Sequence, residues 1–186
     1  MIGAHENKSP TLARTALRIG TYDLTPLSPA DTVDLVALFG DLRVTEYMDI
    51  DPIRTQAEAL EIIGWAMELA ERDEGVRWAI RSQGVLIGTV GFNRLERDRG
   101  RRGEIAYDLA HMHWGEGVMS QILPAVIGFG FQTLHLRRIE AMVTVGNHRS
   151  CKLLERHGFA REGCLRDHGY WKGQFWDQLV YGRLAD

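Results

Sequence analysis

The chain has 186 residues, a formal net charge of −3 and a hydrophobic content of 45%. Such a length suits one domain that buries most of the surface its unfolded chain exposes, and the composition is ordinary for a globular protein. No run of about 18 apolar residues occurs and no apolar segment follows the N-terminus, so we expect neither a membrane span nor a signal peptide. The two cysteines, Cys151 and Cys164, lack metal-like spacing and predict free thiols in a cytoplasmic protein.

Charge divides the chain into two unequal parts. Residues 1–74 carry six basic and 14 acidic side chains, whereas residues 75–186 carry 16 basic and 11 acidic ones. The basic part suits a ligand with several phosphates, but it shows no basic stripe that would indicate nucleic-acid binding. The acidic residues from 41 to 74 form either a wall that attracts a cationic amine or the solvated face of a helix.

The N-terminal half predicts a polar terminus followed by both strands and helices. We expect residues 1–14 to be flexible and residues 15–186 to form a single domain. Ser28 or Asp31 is a candidate cap for the first helix. In chain order, the pattern predicts a strand over residues 17–24, a helix ending at residue 39, an amphipathic helix over residues 55–72, and a hairpin of residues 76–81 and 85–95.

The C-terminal half alternates strands and helices more regularly. The pattern predicts strands over residues 104–109, 138–145, 159–165 and 175–184, and helices over residues 119–134 and 147–158. Residues 104–145 then form a strand–helix–strand unit with a right-handed crossover. Pro124 falls inside the first of these helices and removes one backbone hydrogen bond, so we expect a kink that the helix tolerates. The element order indicates an α/β fold with a mixed sheet.

A loop with two glycines, Gly115 and Gly117, joins a predicted strand to a predicted helix. This arrangement binds phosphate, because the glycines let backbone N–H groups approach an anion and the first helical turn leaves N–H groups without partners. It is not a P-loop, which needs Lys followed by Ser or Thr where Val118 and Met119 stand. It is not a dinucleotide-binding loop either, since Ser120 occupies the position of the third glycine.

Three sequence blocks in this half resemble one known family. They are Trp114-Gly115-Glu116-Gly117, Arg138-Ile139-Glu140-Ala141 and Asn147-His148-Arg149-Ser150, in this order. On these blocks the chain resembles the GNAT superfamily of acetyl-CoA-dependent N-acetyltransferases, and within it the RimJ/RimL-type branch that acetylates ribosomal-protein N-termini. The resemblance covers residues 22–184, and residues 163–167 and 172–177 also look like that branch.

The resemblance implies both a fold and an activity. The GNAT fold is an α/β fold whose mostly antiparallel sheet of six to seven strands has a splayed parallel pair at its centre and about four flanking helices. The implied enzyme is an N-acetyltransferase that uses acetyl-CoA and no metal, and the amine attacks the thioester directly in a ternary complex. The acceptor would be a primary amine, either a protein N-terminus or a small cationic amine, and the protein a possible homodimer. The alternative is a non-catalytic module that senses acyl-CoA.

The resemblance also assigns residues to the cofactor. Leu109 and Ala110 would pair with the pantetheine arm through free backbone groups, and the Leu109 N–H would polarise the thioester carbonyl. Asn147 would contact the same arm, and on local rules alone it is a good helix N-cap. The family usually has Gly or Ala where Met119 stands. The remaining expected cofactor contacts are Asp108, Trp114, Gly115, Glu116, Gly117, Val118, Met119, Ser120 and Gln121.

Two residues are the catalytic candidates. Glu104 matches a strand glutamate that takes a proton from the amine in several superfamily members, and partial burial would raise its pKa toward neutrality. Its alternative role is an ion pair with a neighbouring arginine. Ser150 would assist the departing thiolate, since Leu154 stands where many members have a tyrosine, and its alternative role is structural. The residues expected to contact the acceptor are Tyr170, Trp171, Trp176 and Asp177.

Overall fold

One mixed sheet with helices on both faces organises the chain. The structure is a computed structural model that describes residues 12–186, and the expected flexible terminus falls mainly on residues 1–11, outside the described residues. The first described element is a 3-10 turn, Leu12–Arg14, whose Leu12 side chain is buried in the core. Leu12 is therefore part of the packed fold.

The sheet contains eight strands within the described residues. They are β1 (Leu17–Ile19), β2 (Tyr22–Pro26), β3 (Val76–Ser82), β4 (Val85–Glu96), β5 (Arg102–Leu109), β6 (Arg138–Thr144), β7 (Ala160–Trp171) and β8 (Gln174–Leu184). Their order is β1-β2-β3-β4-β5-β6-β8-β7, with β5 and β6 parallel and the other neighbours antiparallel. The α/β fold with a parallel pair inside an antiparallel sheet is confirmed. The strand count exceeds the expected six to seven, and the predicted single strand over residues 17–24 is a hairpin that turns at Gly20, where φ is +57°.

Five α-helices flank the sheet in the part of the chain that the structure describes. They are α1 (Thr32–Phe39), α2 (Leu42–Thr45), α3 (Gln56–Glu71), α4 (Val118–Gly128) and α5 (His148–Arg156). About four helices are expected from the sequence, and the additional one is α2, which is a single turn. The start of α3 is fixed by a capping box, in which the Thr55 hydroxyl accepts the Glu58 N–H and the Glu58 carboxylate accepts the Thr55 N–H. No helix in residues 12–186 is long and apolar enough to cross a bilayer.

The two faces of the sheet carry separate cores. Because side chains alternate along a strand, Trp78 faces the core that α4 and α5 cover, whereas Ala79 faces the core that α1 and α3 cover. Pro124 is exposed within α4, and the apolar stripe continues in phase beyond it through the buried Val126. The predicted helix over residues 119–134 ends as a π turn, Phe129–Thr133.

The parallel pair is short, and this positions the functional site. β5 and β6 pair only over Arg102–Arg138, Gly103–Ile139 and Glu104–Glu140, although β5 stays paired with β4 as far as Leu109. A gap therefore opens between the carboxyl ends of β5 and β6. Since α4 follows β5 and α5 follows β6, both helix N-termini lie at the mouth of this gap.

Candidate active site

The loop after β5 presents backbone amides at the start of α4. Gly115 and Gly117 have φ of +83° and +76°, and a Cβ on either would meet no atom within 4 Å. These glycines are thus required by backbone conformation rather than by lack of space. The first hydrogen bond of α4 runs from the Gln121 N–H to the Gly117 carbonyl at 3.2 Å, so the N–H groups of residues 118–120 precede the helical ladder. Such amides form a site for an anion.

The side chains of this loop divide between the core and the outside. Val118 and Met119 are buried in the core, so the methionine that stands in place of a small residue does not fill the loop. Glu116 points outward, and its carboxylate lies 3.1 Å from Nδ1 of His113. The anion site therefore consists of backbone, with Ser120 and Gln121 in the first turn beside it.

Helix α5 places positive charge beside the loop, and sequence reasoning missed this charge. The Arg149 guanidinium lies 4.6 Å from the centre of the Trp114 ring, and Nη1 of Arg156 lies 3.5 Å from the Ser120 hydroxyl. Lys152 is on the same helix, at a spacing of three and four residues from these two arginines. The sequence signal that could have predicted this positive charge is the run of basic residues at helical spacing after the Asn147 cap.

At the end of β5, one backbone amide points into the gap. The Ala110 N–H donates to the Ile87 carbonyl of β4 at 2.8 Å, and N–H directions alternate along a strand, so the Leu109 N–H points toward the gap. The Leu109 carbonyl accepts the Trp114 indole N–H at 2.7 Å. The expectation of free backbone groups at Ala110 is wrong, because its carbonyl also accepts the His113 N–H at 2.9 Å.

Asp108 faces away from the gap. Its carboxylate forms an ion pair with Arg77 and accepts the Thr89 hydroxyl at 3.0 Å, and the side chains of Arg77 and Asp108 are only 7% and 11% exposed. Arg77 also donates to the Asn93 side chain at 3.2 Å. This cluster lies on the sheet face covered by α1 and α3. The Asp108 side chain is therefore engaged away from the gap, and the predicted contact of Asp108 with the cofactor gains no support from this geometry.

A hydroxyl pair bridges the gap near the start of α5. Oη of Tyr107 on β5 lies 2.7 Å from Oγ of Ser150, and the Ser150 N–H donates to Oδ1 of Asn147 at 3.1 Å. The predicted N-cap role of Asn147 is confirmed. Burial raises the pKa of Tyr107 well above its ordinary range, so the phenol stays protonated. Sequence reasoning missed Tyr107, since no motif distinguishes it from a core tyrosine.

Glu104 lies where β5 and β6 separate. It belongs to the last parallel pair, and it lines a cavity of about 180 Å³ together with Arg94, Arg102 and Glu140. Burial and the neighbouring Glu140 raise the pKa of Glu104 above its ordinary value, and Arg94 opposes this shift. Arg102 donates to Glu96 at 2.9 Å and lies 3.9 Å from the Glu140 carboxylate, and residues 12–186 show no ion pair between Arg102 and Glu104.

A larger cavity of about 550 Å³ lies between the sheet, α1 and α3. Its floor contains the Arg77–Asp108 cluster, and its walls are mostly apolar, including Phe39, Ile53 and Trp65. The face of β5 that bears Asp108 and Glu104 is the one turned toward this cavity. The gap thus meets β5 along its edge toward β6, and the large cavity meets β5 on the face that α1 and α3 cover.

The four residues expected to contact the acceptor lie on the β7–β8 hairpin. Trp171 stacks on Trp176 with ring centres 5.9 Å apart, Tyr170 contacts Phe175, and Asp177 accepts the Asp167 N–H at 2.9 Å. None of the four lines either cavity described above.

The hairpin tip is joined to the segment after α2. Lys172 donates to the carbonyls of Thr45 and Met48. The hairpin therefore supports residues 45–48, which lead into the wall of the large cavity.

The geometry suits a reaction between two substrates that meet at β5. An anionic ligand with a long, narrow arm can rest on the α4 amides and enter the gap as far as the Leu109 N–H and the Ser150 hydroxyl. A second substrate can arrive from the face that α1 and α3 cover, where Glu104 can accept a proton. Within residues 12–186, no three His, Cys, Asp or Glu side chains are grouped so as to hold a metal ion.

Known proteins match this chain over most of its length. A family model described as an acetyltransferase (GNAT) domain matches residues 23–160. An uncharacterized N-acetyltransferase p20 of Bacillus licheniformis is 37% identical over 81% of this chain and 85% of its own. The ribosomal-protein-serine acetyltransferase of Escherichia coli strain K12 is 30% identical over 72% of this chain and 74% of its own.

Solved structures give the same fold. The RimL ribosomal L7/L12 alpha-N-protein acetyltransferase in complex with coenzyme A superimposes with a TM-score of 0.83 at 24% identity, covering 92% of this chain and 99% of that chain. At that identity the likeness concerns the fold alone. The family model and the sequence relatives establish more: the chain belongs to the GNAT family of N-acetyltransferases.

Proposed function

We propose that this protein transfers the acetyl group of acetyl-CoA to a primary amine by direct attack in a ternary complex. The observation that carries the proposal is the parting of β5 and β6 immediately after the Glu104–Glu140 pair, between two helix N-termini. The relatives named as ribosomal-protein acetyltransferases and the coenzyme A bound to RimL support the choice of co-substrate and reaction.

The cofactor would bind mainly through backbone and positive charge. Its diphosphate would rest on the N–H groups of residues 118–120, with Trp114 and the first turn of α4 around it. Arg149, Lys152 and Arg156 would add favourable electrostatic interactions with its phosphates. The pantetheine arm would fill the gap beside Asn147.

The chemistry needs few side chains. The Leu109 N–H would stabilise negative charge on the thioester oxygen. As the amine nitrogen bonds to the acetyl carbon, the C–S bond breaks and Glu104 accepts the ammonium proton, through water if it does not reach directly. Ser150 would donate a hydrogen bond to the departing thiolate. Tyr107 would donate to the Ser150 oxygen and so leave the serine hydrogen free to point at sulfur. Positioning of the two substrates supplies most of the rate enhancement.

Gly117→Asp tests the anion site. A carboxylate beside the diphosphate and an L side chain at φ of +76° should both weaken acetyl-CoA binding, which calorimetry with purified protein measures. Gly84→Asp is the matched control, because Gly84 has φ of +83° with open space around it in the β3–β4 turn. Equal affinity in the two variants would refute the loop assignment.

Release of free thiol from acetyl-CoA with a panel of amines tests the reaction itself. Turnover that depends on the added amine supports the transferase. Tight binding of acetyl-CoA with no turnover on peptides, polyamines, aminoglycosides or amino acids would favour the non-catalytic sensor instead.

A further inference from the structure

We propose that the 550 Å³ cavity between α1, α3 and the sheet, here called the acceptor chamber, binds the acceptor, and that this acceptor is an amine with a single positive charge, an apolar substituent and no carboxylate near the nitrogen. The inference rests on the proposed acetyl transfer and adds the chemical class of its second substrate. It replaces the β7–β8 hairpin as the main acceptor surface.

The acceptor chamber is next to the reacting groups. Its floor includes Asp108, the residue immediately before Leu109, whose N–H points into the cofactor gap at the edge of β5 toward β6. Its wall includes Asp49, which is close enough to Glu104 for its charge to help raise the pKa of Glu104. A ligand in the acceptor chamber can therefore present its nitrogen to the thioester and to Glu104 together.

The walls of the acceptor chamber select an apolar substituent. Apolar side chains from the end of α1, the segment after α2 and one face of α3 make up most of the lining; they include Phe39, Ile50, Ile53, Ile62 and Trp65. The volume lies within the range of small-molecule sites. Trp65 is 44% exposed, so its ring is available at the rim of the chamber to cover an incoming group. A strongly hydrated substituent would lose its water against these apolar surfaces without gaining hydrogen bonds in return.

The charges of the acceptor chamber select a cation. The lining contains four carboxylates and one guanidinium. Two of these carboxylates are committed elsewhere: Asp108 pairs with Arg77, and Glu58 accepts three hydrogen bonds at the start of α3. Asp49 and Glu61 make no hydrogen bond or ion pair within the described residues and so remain to attract an ammonium group.

The same charges disfavour two other classes of amine. A free amino acid would bring its carboxylate toward Asp49 and Glu61, and like charges repel. A polyamine would bring a second strongly hydrated ammonium and no apolar substituent to walls that are mostly apolar, and the floor adds no attraction because Arg77 neutralises Asp108. The amine of a peptide N-terminus with an apolar first residue meets the requirement, and so does an arylalkylamine.

Matched acceptors test the class. Thiol release from acetyl-CoA is measured with phenylalaninamide, free phenylalanine, glycinamide and spermidine. We expect kcat/KM for phenylalaninamide to exceed the values for the other three, and to exceed that for glycinamide by roughly 10–100-fold, the discrimination available to an apolar pocket. Two further acceptors are phenethylamine and a tetrapeptide amide whose first residue is phenylalanine. A higher kcat/KM for the peptide identifies the natural amine as a protein N-terminus, and a higher kcat/KM for phenethylamine identifies it as a small molecule.

Variants of α3 test the location. Trp65→Ala should raise KM for phenylalaninamide about tenfold, with kcat and acetyl-CoA affinity nearly unchanged. Met67→Ala is the control, because Met67 is an exposed residue of the same helix that does not line the chamber. Glu61→Gln should reduce the preference for phenylalaninamide over phenylalanine, and Glu71→Gln, on an exposed position of α3, should not.

The outcomes separate this inference from the proposed function. Efficient acetylation of spermidine or free phenylalanine, or an unchanged KM in Trp65→Ala, overturns the acceptor chamber while acetyl transfer stands. Binding of acetyl-CoA without turnover of any apolar amine also overturns it. Absence of acetyl-CoA binding, or binding of acetyl-CoA without turnover of any amine in either panel, refutes the proposed function as a whole.

Discussion

At the scale of single residues, Glu104 is the group whose environment is most suited to proton transfer. Its burial and the nearby Glu140 raise its pKa, which brings a carboxylate closer to the neutral pH at which a general base is most useful. The deprotonated form is the active one, so the rate of acetyl transfer should rise with pH through this raised pKa.

Glu104→Gln should lower kcat about 10²–10⁴-fold and flatten the rise with pH. The pH dependence of stability provides a second readout. Because the folded-state pKa lies above the unfolded one, the glutamate favours folding at low pH and loses that contribution as pH rises through the folded pKa. The variant should therefore be more stable than the parent at alkaline pH and closer to it at acidic pH by thermal unfolding. An unaltered pH–rate profile would remove Glu104 from the mechanism.

Tyr107 is the second residue with a specific expected effect. Tyr107→Phe removes one hydrogen bond to the Ser150 oxygen and should lower kcat by about 2–10-fold, the worth of a neutral hydrogen bond. If the tyrosine acts through the serine, the same change in a Ser150→Ala background should have no further effect on kcat. Tyr181→Phe is the control, since its hydroxyl donates to Glu155 at 3.1 Å. Additive losses in the double variant would mean that Tyr107 is only structural.

At the scale of elements, the sequence predicts contiguous motifs well and distant contacts poorly. The loop of Gly115 and Gly117 was identified because strand, turn and helix start are adjacent in the chain, and their local chemistry sets the backbone conformation. The start of α5 was found for the same reason, through the Asn147 cap. The basic residues beside Trp114 were missed, because their meaning depends on α5 lying next to α4.

Strand lengths are likewise predicted well where the sequence has a local pattern and poorly where it has none. The strand over residues 175–184 was placed within one residue, whereas β7 runs to Trp171 rather than to residue 165. Its polar residues 166–168 are accommodated by an irregularity in which Asp167 adopts φ of +47° and its N–H bonds the Asp177 side chain. Alternating hydrophobicity is absent from this exposed edge strand, so no periodic signal marked its length.

At the scale of the whole molecule, one sheet separates two substrates and brings them together at a single strand. The sequence resemblance predicted the splayed pair, but it could not predict the acceptor chamber, whose lining comes from seven separate stretches of chain between Leu27 and Asp108. It also assigned Asp108 to the cofactor, because residue type does not show which face of β5 a side chain occupies. The ion pair of Arg77 and Asp108 joins β3 to β5 across β4 at the floor of the chamber. Asp108 therefore supports the position of β5.

Arg77→Met should destabilise the protein by about 3–5 kcal/mol, because it leaves the Asp108 carboxylate buried without its positive partner. Adding Asp108→Asn removes that uncompensated charge, so the double variant should recover a large part of the loss in denaturant unfolding. A double variant as unstable as Arg77→Met alone would show that packing of the arginine side chain, rather than charge, holds the strands together. Recovery of stability without recovery of acceptor KM would separate the two roles, since the pair both supports β5 and neutralises the floor on which the acceptor rests.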